Sequence, residues 1–375
     1  MQSILFLSVM NGSAWGGSEE QWYRFAIWLA DRNHSVGVAV MDWEEKSEKL
    51  NVLKKKGCKI YLIPGQGSGL FRMLRQKNVL NKIPFKKYEL VYVNQGGWKD
   101  VAHGPFKHLY KKLPAYALSF HNYERNAKLD AGKVKILRAW IENSKVCIAA
   151  TAEVFNILAQ EYSIFVSNKE VSYSPPTFSV PASLTAYPPT GESLPWVFLA
   201  LGALDTVRKA QDVLIRVLGR SEWKNRNWRL NIYGEGKDRK MLEDLVSELG
   251  LNEKVFLPGH TTDPKKFITD CHLLIQATRF DAMPISVIEA MALARPCLVT
   301  DVGDMSQWVK DDVNGFVVDK INEEELHKKM DHAWQVKTEW EMMGGKAFET
   351  FQSKYPSPYE EKFLGLLNNY YKKGK

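Results

Sequence analysis

The chain has 375 residues, a formal net charge of +8 at pH 7 and four cysteines. This length predicts two domains, and the ordinary shares of hydrophobic and charged residues are typical of a globular protein. The cysteines lack metal-site spacing and stand in apolar runs, which predicts buried free thiols and a cytoplasmic protein. No apolar run approaches the length of a membrane span, and the short apolar segment Ser3–Met10 is expected to be a strand rather than a signal peptide.

The charge is unevenly distributed. Residues 1–170 carry 25 Lys and Arg against 15 Asp and Glu, whereas residues 171–375 carry 26 against 28. A basic surface suits nucleic acid, anionic lipid or an anionic substrate, and it equally suits simple solubilisation. No nucleic-acid-binding module accompanies the charge, so we expect no nucleic-acid partner and predict peripheral contact with anionic membrane. The apolar residues expected to enter the lipid interface are Phe71, Ile83, Phe85 and Phe106.

Alternating apolar runs and helical patterns in residues 1–173 predict a doubly wound α/β domain. The predicted strands are Ile4–Val9, Val36–Met41, Lys59–Ile63, Leu90–Asn94, Tyr116–His121 and Val146–Ala149. A loop that contains Gly16 and Gly17 follows the first strand. Ser18 is expected to cap the helix after that loop.

Two strands of this domain are followed by polar residues. Asn94 begins a segment that ends at Trp98, and His121 is followed by Asn122. In open parallel sheets, ligands bind beyond the carboxyl ends of the strands. His121 fits either a ligand contact or a hydrogen-bonded structural histidine. Trp98, like Trp15 near the glycine loop, fits either saccharide stacking or core packing.

Residues 174–195 are rich in proline and nearly free of charge, which predicts a linker. A second α/β domain is expected over residues 196–353, followed by an aromatic, basic helix over residues 354–375. The strands predicted in the second domain are Val197–Leu201, Leu230–Tyr233, Val255–Leu257, Leu273–Ile275, Pro296–Asp301 and Asn314–Asp319.

Residues 279–300 read RFDAMPISVIEAMALARPCLVT and predict a loop, a helix and a strand. Pro284 stands near the expected helix start, where proline is favoured. The free backbone N–H groups and the positive dipole end of such a start suit a phosphate. Asp281 and Glu289 flank this position, and each carboxylate taken alone also fits a solvated or capping acid.

This stretch resembles the acidic signature of retaining GT-B glycosyltransferases of family 4, in which seven residues separate two glutamates. Here Asp281 and Glu289 hold those places. Asp281 departs from the signature by one methylene, and Ala203 stands where the family often has Arg. The other segments that match in order are Gly16–Glu20, His121, Gly202, Lys209–Asp212, Tyr233–Gly236, Val255–Gly259, Thr300–Gly303 and Asn314–Phe316.

The resemblance implies the GT-B fold, in which two Rossmann-like doubly wound α/β domains face each other across a cleft and the last helix returns to the first domain. It implies a metal-independent glycosyltransferase that moves a sugar from a nucleotide sugar to a saccharide or lipid-linked acceptor with retention of configuration. UDP- or GDP-sugars are the expected donors, and no other cofactor is expected. Surface polysaccharide or glycoconjugate synthesis in the cytoplasm, at the inner face of the membrane, is the expected role.

The resemblance also implies roles for individual residues. His121 and Asp281 would be catalytic, Lys209 with Arg208 would meet the diphosphate, and Glu289 would accept hydrogen bonds from the ribose. Two alternatives stay open: a catalytically degenerate sugar-nucleotide-binding subunit, or a sugar-nucleotide epimerase on the same fold. The expected donor-binding residues are Gly16, Gly17, Arg208, Lys209, Gly234, His260, Met283, Pro284, Ile285, Ser286 and Glu289. The expected acceptor-binding residues are Trp15, Trp98 and Asn122.

Overall fold

The computed structural model describes residues 1–10, 15–65, 69–97, 100–121, 129–355 and 357–372, except for the side chain of Glu45. The chain forms two compact units. The first comprises Met1–Pro175 and Ser357–Lys375, and the second comprises Pro176–Pro356. The predicted acceptor-binding residues Trp98 and Asn122 lie outside the described residues.

The first unit contains a seven-stranded parallel sheet in the order β3-β2-β1-β4-β5-β6-β7. Its strands are β1 (Ser3–Ser8), β2 (Ser35–Met41), β3 (Lys59–Ile63), β4 (Leu90–Gln95), β5 (Ala115–Phe120), β6 (Val146–Ala149) and β7 (Lys169–Val171). The helices between them are α1 (Gly17–Ala30), α2 (Ser47–Lys55), α3 (Gly69–Lys82), α4 (Ala131–Glu142) and α5 (Glu153–Tyr162). Short 3₁₀ helices cover Glu44–Lys46, Phe85–Lys87, Asp100–Ala102, Gly104–Phe106 and Leu109–Lys112.

The second unit contains a six-stranded parallel sheet in the order β10-β9-β8-β11-β12-β13. Its strands are β8 (Trp196–Leu201), β9 (Trp228–Tyr233), β10 (Val255–Gly259), β11 (Leu273–Gln276), β12 (Cys297–Thr300) and β13 (Gly315–Val318). Its helices are α6 (Thr206–Lys209), α7 (Gln211–Leu218), α8 (Ser221–Lys224), α9 (Arg239–Glu248), α10 (Pro264–Thr269), α11 (Ile285–Ala292), α12 (Met305–Trp308), α13 (Glu323–Gln335) and α14 (Trp340–Lys354), with a 3₁₀ helix at Lys337–Glu339.

The strands predicted in both units are confirmed, within one or two residues at their ends. Helices cover both faces of a parallel sheet, so its central strands appear in the sequence as continuous apolar runs. The prediction that Ser18 caps α1 is wrong, because Gly16 occupies the N-cap position and Ser18 lies inside the helix.

The last helix, α15 (Tyr359–Lys372), packs on the first unit. The ring of Phe363 lies 5.0 Å from that of Phe25. The hydroxyl of Tyr359 accepts a hydrogen bond from Gln21 at 2.7 Å. No helix among the described residues is long and apolar enough to cross a membrane.

The proline-rich segment forms no helix or strand from residue 176 to residue 195, yet it is fixed to the second unit by side-chain hydrogen bonds. Tyr187 donates to the carbonyl oxygen of His272 at 2.8 Å. The buried guanidinium of Arg295 donates to the carbonyl oxygen of Ala186 at 2.6 Å. This segment is therefore held in place beside the sheet of the second unit.

Candidate active site

The carboxyl edge of the second sheet brings Lys209 and Asp281 together as an ion pair. Lys209 follows β8 and Asp281 follows β11, and these two strands are neighbours in the sheet. The side chain of Lys209 is 12% exposed and that of Asp281 is 16% exposed. Partial removal from water reduces the screening of their attraction, while both groups remain accessible to a ligand.

Glycines set the position of Lys209. Gly202 directly follows β8 with φ of +155°, and a Cβ there would lie 3.5 Å from Cε of Lys209. Gly234 follows β9 with φ of +152°, and a Cβ there would lie only 1.9 Å from the carbonyl oxygen of Gly202. Only glycine tolerates both the backbone conformation and this close approach. Gly234, a predicted donor-binding residue, therefore supports the loop that carries Lys209.

The backbone of Arg208 ties that loop to the acidic loop after β11. Its carbonyl oxygen accepts hydrogen bonds from the amide of Arg279 and the hydroxyl of Thr278, each at 2.7 Å. The Arg208 residue is partly exposed, and its guanidinium has no hydrogen-bond or ion-pair partner within the described parts of the chain. A cation close to Lys209 is thus available to an anionic ligand.

The loop after β12 supports the acidic loop from the other side. Gly303 has φ of +58°, and a Cβ there would lie 1.9 Å from the carbonyl oxygen of Ala282. The amide of Asp304 donates to the same oxygen at 3.0 Å. Asp281 therefore sits in a loop held by its neighbours on both sides.

Helix α11 begins beside Asp281. Pro284 is its N-cap residue, and this confirms the expected position of the proline near the helix start. Ser286 is buried, and its hydroxyl donates to Oε1 of Gln276 at 3.0 Å. Met283 is buried too, whereas Ile285 is partly exposed. The first turn of α11 offers backbone N–H groups and the positive end of the helix dipole next to the acidic loop.

Glu289 is buried in α11, and Thr177 holds its carboxylate. Oε1 of Glu289 accepts from the amide of Thr177 at 2.7 Å and also from its hydroxyl. Thr177 belongs to the proline-rich segment, and sequence reasoning assigned it no role. Glu289 is therefore neither a solvated acid nor a helix cap.

His260 is exposed at the end of β10. The preceding Gly259 has φ of +100°. Arg239 donates to both carboxylate oxygens of Glu235 at 2.9 Å, and this bond is the main reason why the pKa of Glu235 lies below its usual range. These polar groups occupy the ends of β9 and β10, and none of the described side-chain contacts joins His260 to Lys209 or Asp281.

Three predicted site residues, Gly16, Gly17 and Trp15, lie at the start of α1, and they differ in how closely other residues pack on them. Gly16 has an extended backbone, and no atom of the described residues beyond its chain neighbours lies within 4 Å of the place of a Cβ; Gly17 begins the helix. The ring of Trp15 packs 5.8 Å from that of Trp22, and its Nε1 donates to Glu20 at 2.8 Å. The structure thus gives Trp15 the packing contacts that sequence reasoning held open as the alternative to saccharide stacking.

His121 directly follows β5 in the first unit. Its Nε2 lies 3.3 Å from the hydroxyl oxygen of Ser119. Part of the residue remains accessible, yet the imidazole lies among protein atoms, and this desolvation lowers its pKa to about 4. His121 is therefore neutral at pH 7 and exchanges hydrogen bonds as a neutral ring.

Across the described ranges, no group of three or more His, Cys, Asp or Glu side chains is arranged to hold a metal ion. The four cysteines are buried free thiols, as predicted.

Known proteins resemble this chain in sequence and in fold. Residues 191–349 match the family described as glycosyl transferases group 1. Poly(ribitol-phosphate) alpha-N-acetylglucosaminyltransferase of Staphylococcus aureus is 29% identical over 163 residues, which are 43% of this chain and 33% of that protein. Lipopolysaccharide 1,6-galactosyltransferase of Salmonella typhimurium is 28% identical over 138 residues, 34% of this chain and 36% of that protein. The matched part thus spans about a third of the length of these relatives.

The crystal structure of HepE from Anabaena in complex with UDP covers 98% of this chain and 100% of its own, with a TM-score of 0.77 at 16% identity. This similarity confirms the predicted GT-B fold with two Rossmann-like domains. The family match includes Lys209, Asp281 and Glu289. Residues 191–349 are therefore similar to the glycosyl transferases group 1 family.

Proposed function

We propose that this protein is a retaining glycosyltransferase that moves a sugar from a UDP- or GDP-sugar to a saccharide or lipid-linked acceptor without a catalytic metal. The observation that carries the proposal is the pair Lys209–Asp281 beside the start of α11, inside the segment that matches the family. The names of the relatives support a role in assembling surface polymers, since they transfer sugars to poly(ribitol-phosphate) and lipopolysaccharide. UDP bound to HepE supports a nucleotide donor.

The diphosphate of the donor is the leaving group, and it departs with the electron pair of the broken sugar–oxygen bond. Its charge meets Lys209, Arg208 and the first backbone amides of α11. Lys209 is already held at this place by Asp281, so little reorganisation is needed when the donor binds. Three independent cationic or N–H groups thus replace the charge that a metal ion supplies in other transferases.

Positive charge develops on the anomeric carbon as the bond to the diphosphate breaks, and the carboxylate of Asp281 stabilises that charge. Retention requires the acceptor oxygen to bond on the face that the diphosphate leaves, and the proton of the acceptor hydroxyl passes to the departing diphosphate oxygen on that face. His121 accepts or donates a hydrogen bond with the sugar as a neutral ring. Glu289 accepts hydrogen bonds from the ribose, and Thr177 keeps its carboxylate in one orientation.

The test is nucleotide release from a panel of UDP- and GDP-sugars with varied acceptors, in the presence of excess EDTA. We expect turnover with one base and product of retained anomeric configuration by NMR. Asp281→Asn removes turnover, whereas Asp244→Asn, which alters an exposed Lys–Asp pair on α9, does not. Loss of turnover in EDTA that Mg²⁺ restores would contradict the metal-free mechanism. Donor binding without turnover for every acceptor would favour the binding-subunit alternative.

We further propose that the first unit contacts anionic membrane through α3. Leu70, Phe71 and Leu74 are exposed, Phe71 by 72%. Arg72 and Arg75 are interleaved with them, so the helix offers apolar side chains for the interface and cations for lipid headgroups. The expectation that Ile83, Phe85 and Phe106 enter the interface is wrong, because all three are buried in the first unit.

Co-sedimentation with vesicles tests this contact. We expect binding to vesicles that contain phosphatidylserine at low salt, weaker binding at high salt and none to neutral vesicles. Leu74→Ser reduces the binding. Met342→Ser is the matched control, because Met342 in the second unit is equally exposed at 53%. Equal binding to neutral and anionic vesicles, or equal loss in the two variants, would contradict the role of α3.

A further inference from the structure

A buried series of hydrogen bonds leads from Glu19 in α1 to His121. Glu19 is fully buried, and its Oε1 pairs with the equally buried ammonium of Lys46 at 2.6 Å. Nδ2 of Asn94 donates to Oε2 of Glu19 at 3.0 Å. Oδ1 of Asn94 lies 3.3 Å from the hydroxyl of Ser119, which lies 3.3 Å from Nε2 of His121.

The register of the sheet places these groups side by side. Ser8 in β1 pairs with Asn94 in β4, and Asn94 pairs with Ser119 in β5. Residues paired in register point to the same face of the sheet, and His121 follows Ser119 at the spacing of two that keeps the same face in a strand. The series therefore runs across the carboxyl edge of the first sheet.

Chemistry fixes the direction of each hydrogen bond. A carboxylate that pairs with an ammonium only accepts, so Asn94 faces Glu19 with its amide nitrogen and Ser119 with its carbonyl oxygen. The hydroxyl of Tyr92 also meets Ser119, but its own proton goes to Oε1 of Gln21, so toward Ser119 it is an acceptor. The Ser119 hydroxyl has one proton, and its other two acceptors are Oδ1 of Asn94 and the carbonyl oxygen of Val93 at 3.2 Å. Neither acceptor can donate. The proton of Ser119 therefore goes to one of them, and its oxygen accepts from Nε2 of His121.

We propose that Glu19, Asn94 and Ser119 are positioning residues that hold His121 as the Nε2–H tautomer and leave Nδ1 to accept a hydrogen bond from a hydroxyl of the bound sugar. The sugar contact rests on the proposed function, whereas the tautomer follows from the hydrogen bonds alone. The low pKa of His121, about 4, is consistent with a neutral ring that keeps a lone pair.

The variant Glu19→Gln is chosen to reverse the direction of the hydrogen bonds between residue 19 and His121. Lys46 binds Oε1 of Glu19, while Trp22 and Asn94 donate to Oε2. A glutamine that keeps its carbonyl on Lys46 turns its NH₂ group toward Asn94 and toward Nε1 of Trp22, which can only donate and loses its acceptor. Asn94 must then rotate and offer Nδ2 to Ser119, and the Ser119 proton becomes available to Nε2 of His121. The ring is expected to shift to the Nδ1–H tautomer.

Imidazole ¹⁵N NMR of the full chain at pH 7 measures the tautomer, with His121→Asn for assignment. We expect a ring proton on Nε2 of the native His121 that is protected from solvent exchange, its loss in Ser119→Ala, and a shift toward Nδ1–H in Glu19→Gln. An Nδ1–H ring in the native protein would overturn the proposal. So would identical spectra in the native protein and in every variant that folds.

Glu20→Gln is the matched control. Glu20 is also buried in α1, pairs with Lys49 and accepts from Trp15, but none of the described asparagines is its partner. We expect the spectrum of His121 to be unchanged in this variant. A shift equal to that of Glu19→Gln would show a general effect of charge loss in α1 and would overturn the series.

Nucleotide release separates this inference from the proposed function. We expect Ser119→Ala to lower kcat by about tenfold with little change in the donor KM. The control Tyr116→Phe removes a buried hydroxyl of β5 that donates to the carbonyl oxygen of Trp140, and we expect it to leave kcat unchanged. Native turnover in His121→Ala would overturn the sugar contact while the NMR result still decides the tautomer. If the native protein turns over no donor, the proposed function fails and the tautomer is judged by NMR alone.

Discussion

Both units place a lysine and a carboxylate together at the carboxyl edge of a parallel sheet, but in different surroundings. Lys46 and Glu19 in the first unit are fully buried, and Ser8, Trp22 and Asn94 also donate to the carboxylate. Lys209 and Asp281 in the second unit remain partly exposed. A buried pair cannot exchange its partner without leaving a charge unpaired, whereas an accessible pair can. The first pair thus suits positioning, and the second suits ligand binding.

The largest effect is expected from breaking the buried pair. Lys46→Met leaves the carboxylate of Glu19 buried without its cation and should lower the free energy of unfolding of the first unit by about 3–5 kcal/mol. Urea unfolding, followed by hydrogen exchange that reports each unit separately, measures the loss. Lys49→Met is the control, because its pair with Glu20 is partly exposed and should cost at most about 1 kcal/mol. Similar losses in the two variants would remove the distinction between the pairs.

The accessible pair should respond in activity rather than in stability. Under the proposed function, Lys209→Met removes a cation that would meet the leaving diphosphate and should lower kcat by about 10²–10³-fold. The free energy of unfolding of the second unit should change by at most about 1 kcal/mol, because the pair is partly solvated. Lys240→Met, in the exposed pair of α9, serves as the control for both measurements. If the second unit unfolds in Lys209→Met, the pair Lys209–Asp281 also stabilises the fold.

Sequence reasoning identified the elements whose signal is local. The inner strands of both sheets are buried on both faces and appear as unbroken apolar runs, so their positions were predictable. Strand β7 was missed because its three residues, Lys169–Val171, lie at the sheet edge and include two charges. The loop of Asp281 and the start of α11 were predictable because they form one continuous segment with a proline at a defined place.

Contacts between distant segments were not predictable. Thr177 and Glu289 are separated by 112 residues, and nothing local in the proline-rich segment indicates that it holds the carboxylate of Glu289. The type of an apolar residue also does not show whether its side chain faces the core or the solvent. For this reason Phe85 and Phe106 were expected at the surface, whereas both are buried. Glu19 was noticed only as part of the glycine loop, because its partners come from other strands.

Glu289 tests whether burial alone separates positioning carboxylates from ligand-binding ones. It is buried like Glu19, yet we propose that it binds the ribose of the donor. Glu289→Gln keeps a carbonyl oxygen for Thr177 but replaces the charged acceptor with an NH₂ group. Loss of a charged hydrogen bond costs about 1.5–3 kcal/mol, so donor affinity should fall by about 10- to 150-fold. Calorimetric titration with UDP and GDP measures this change. Thr177→Val should have a smaller effect, and unchanged affinity in Glu289→Gln would remove the ribose contact.

The smallest effect is expected from Arg208, whose backbone and side chain have separate roles. Its carbonyl oxygen joins two loops and survives any substitution of the side chain. Arg208→Ala therefore tests the guanidinium alone, which we expect to replace the arginine that the family often has at the place of Ala203. One solvent-accessible hydrogen bond to phosphate contributes about 0.5–1.5 kcal/mol, so the donor KM should rise by about 2- to 10-fold. Steady-state kinetics beside Arg216→Ala, an exposed arginine paired with Glu323 on another helix, checks this value. If Arg208→Ala behaves like that control, the guanidinium does not meet the diphosphate, and Ala203 marks a cation that this chain has lost.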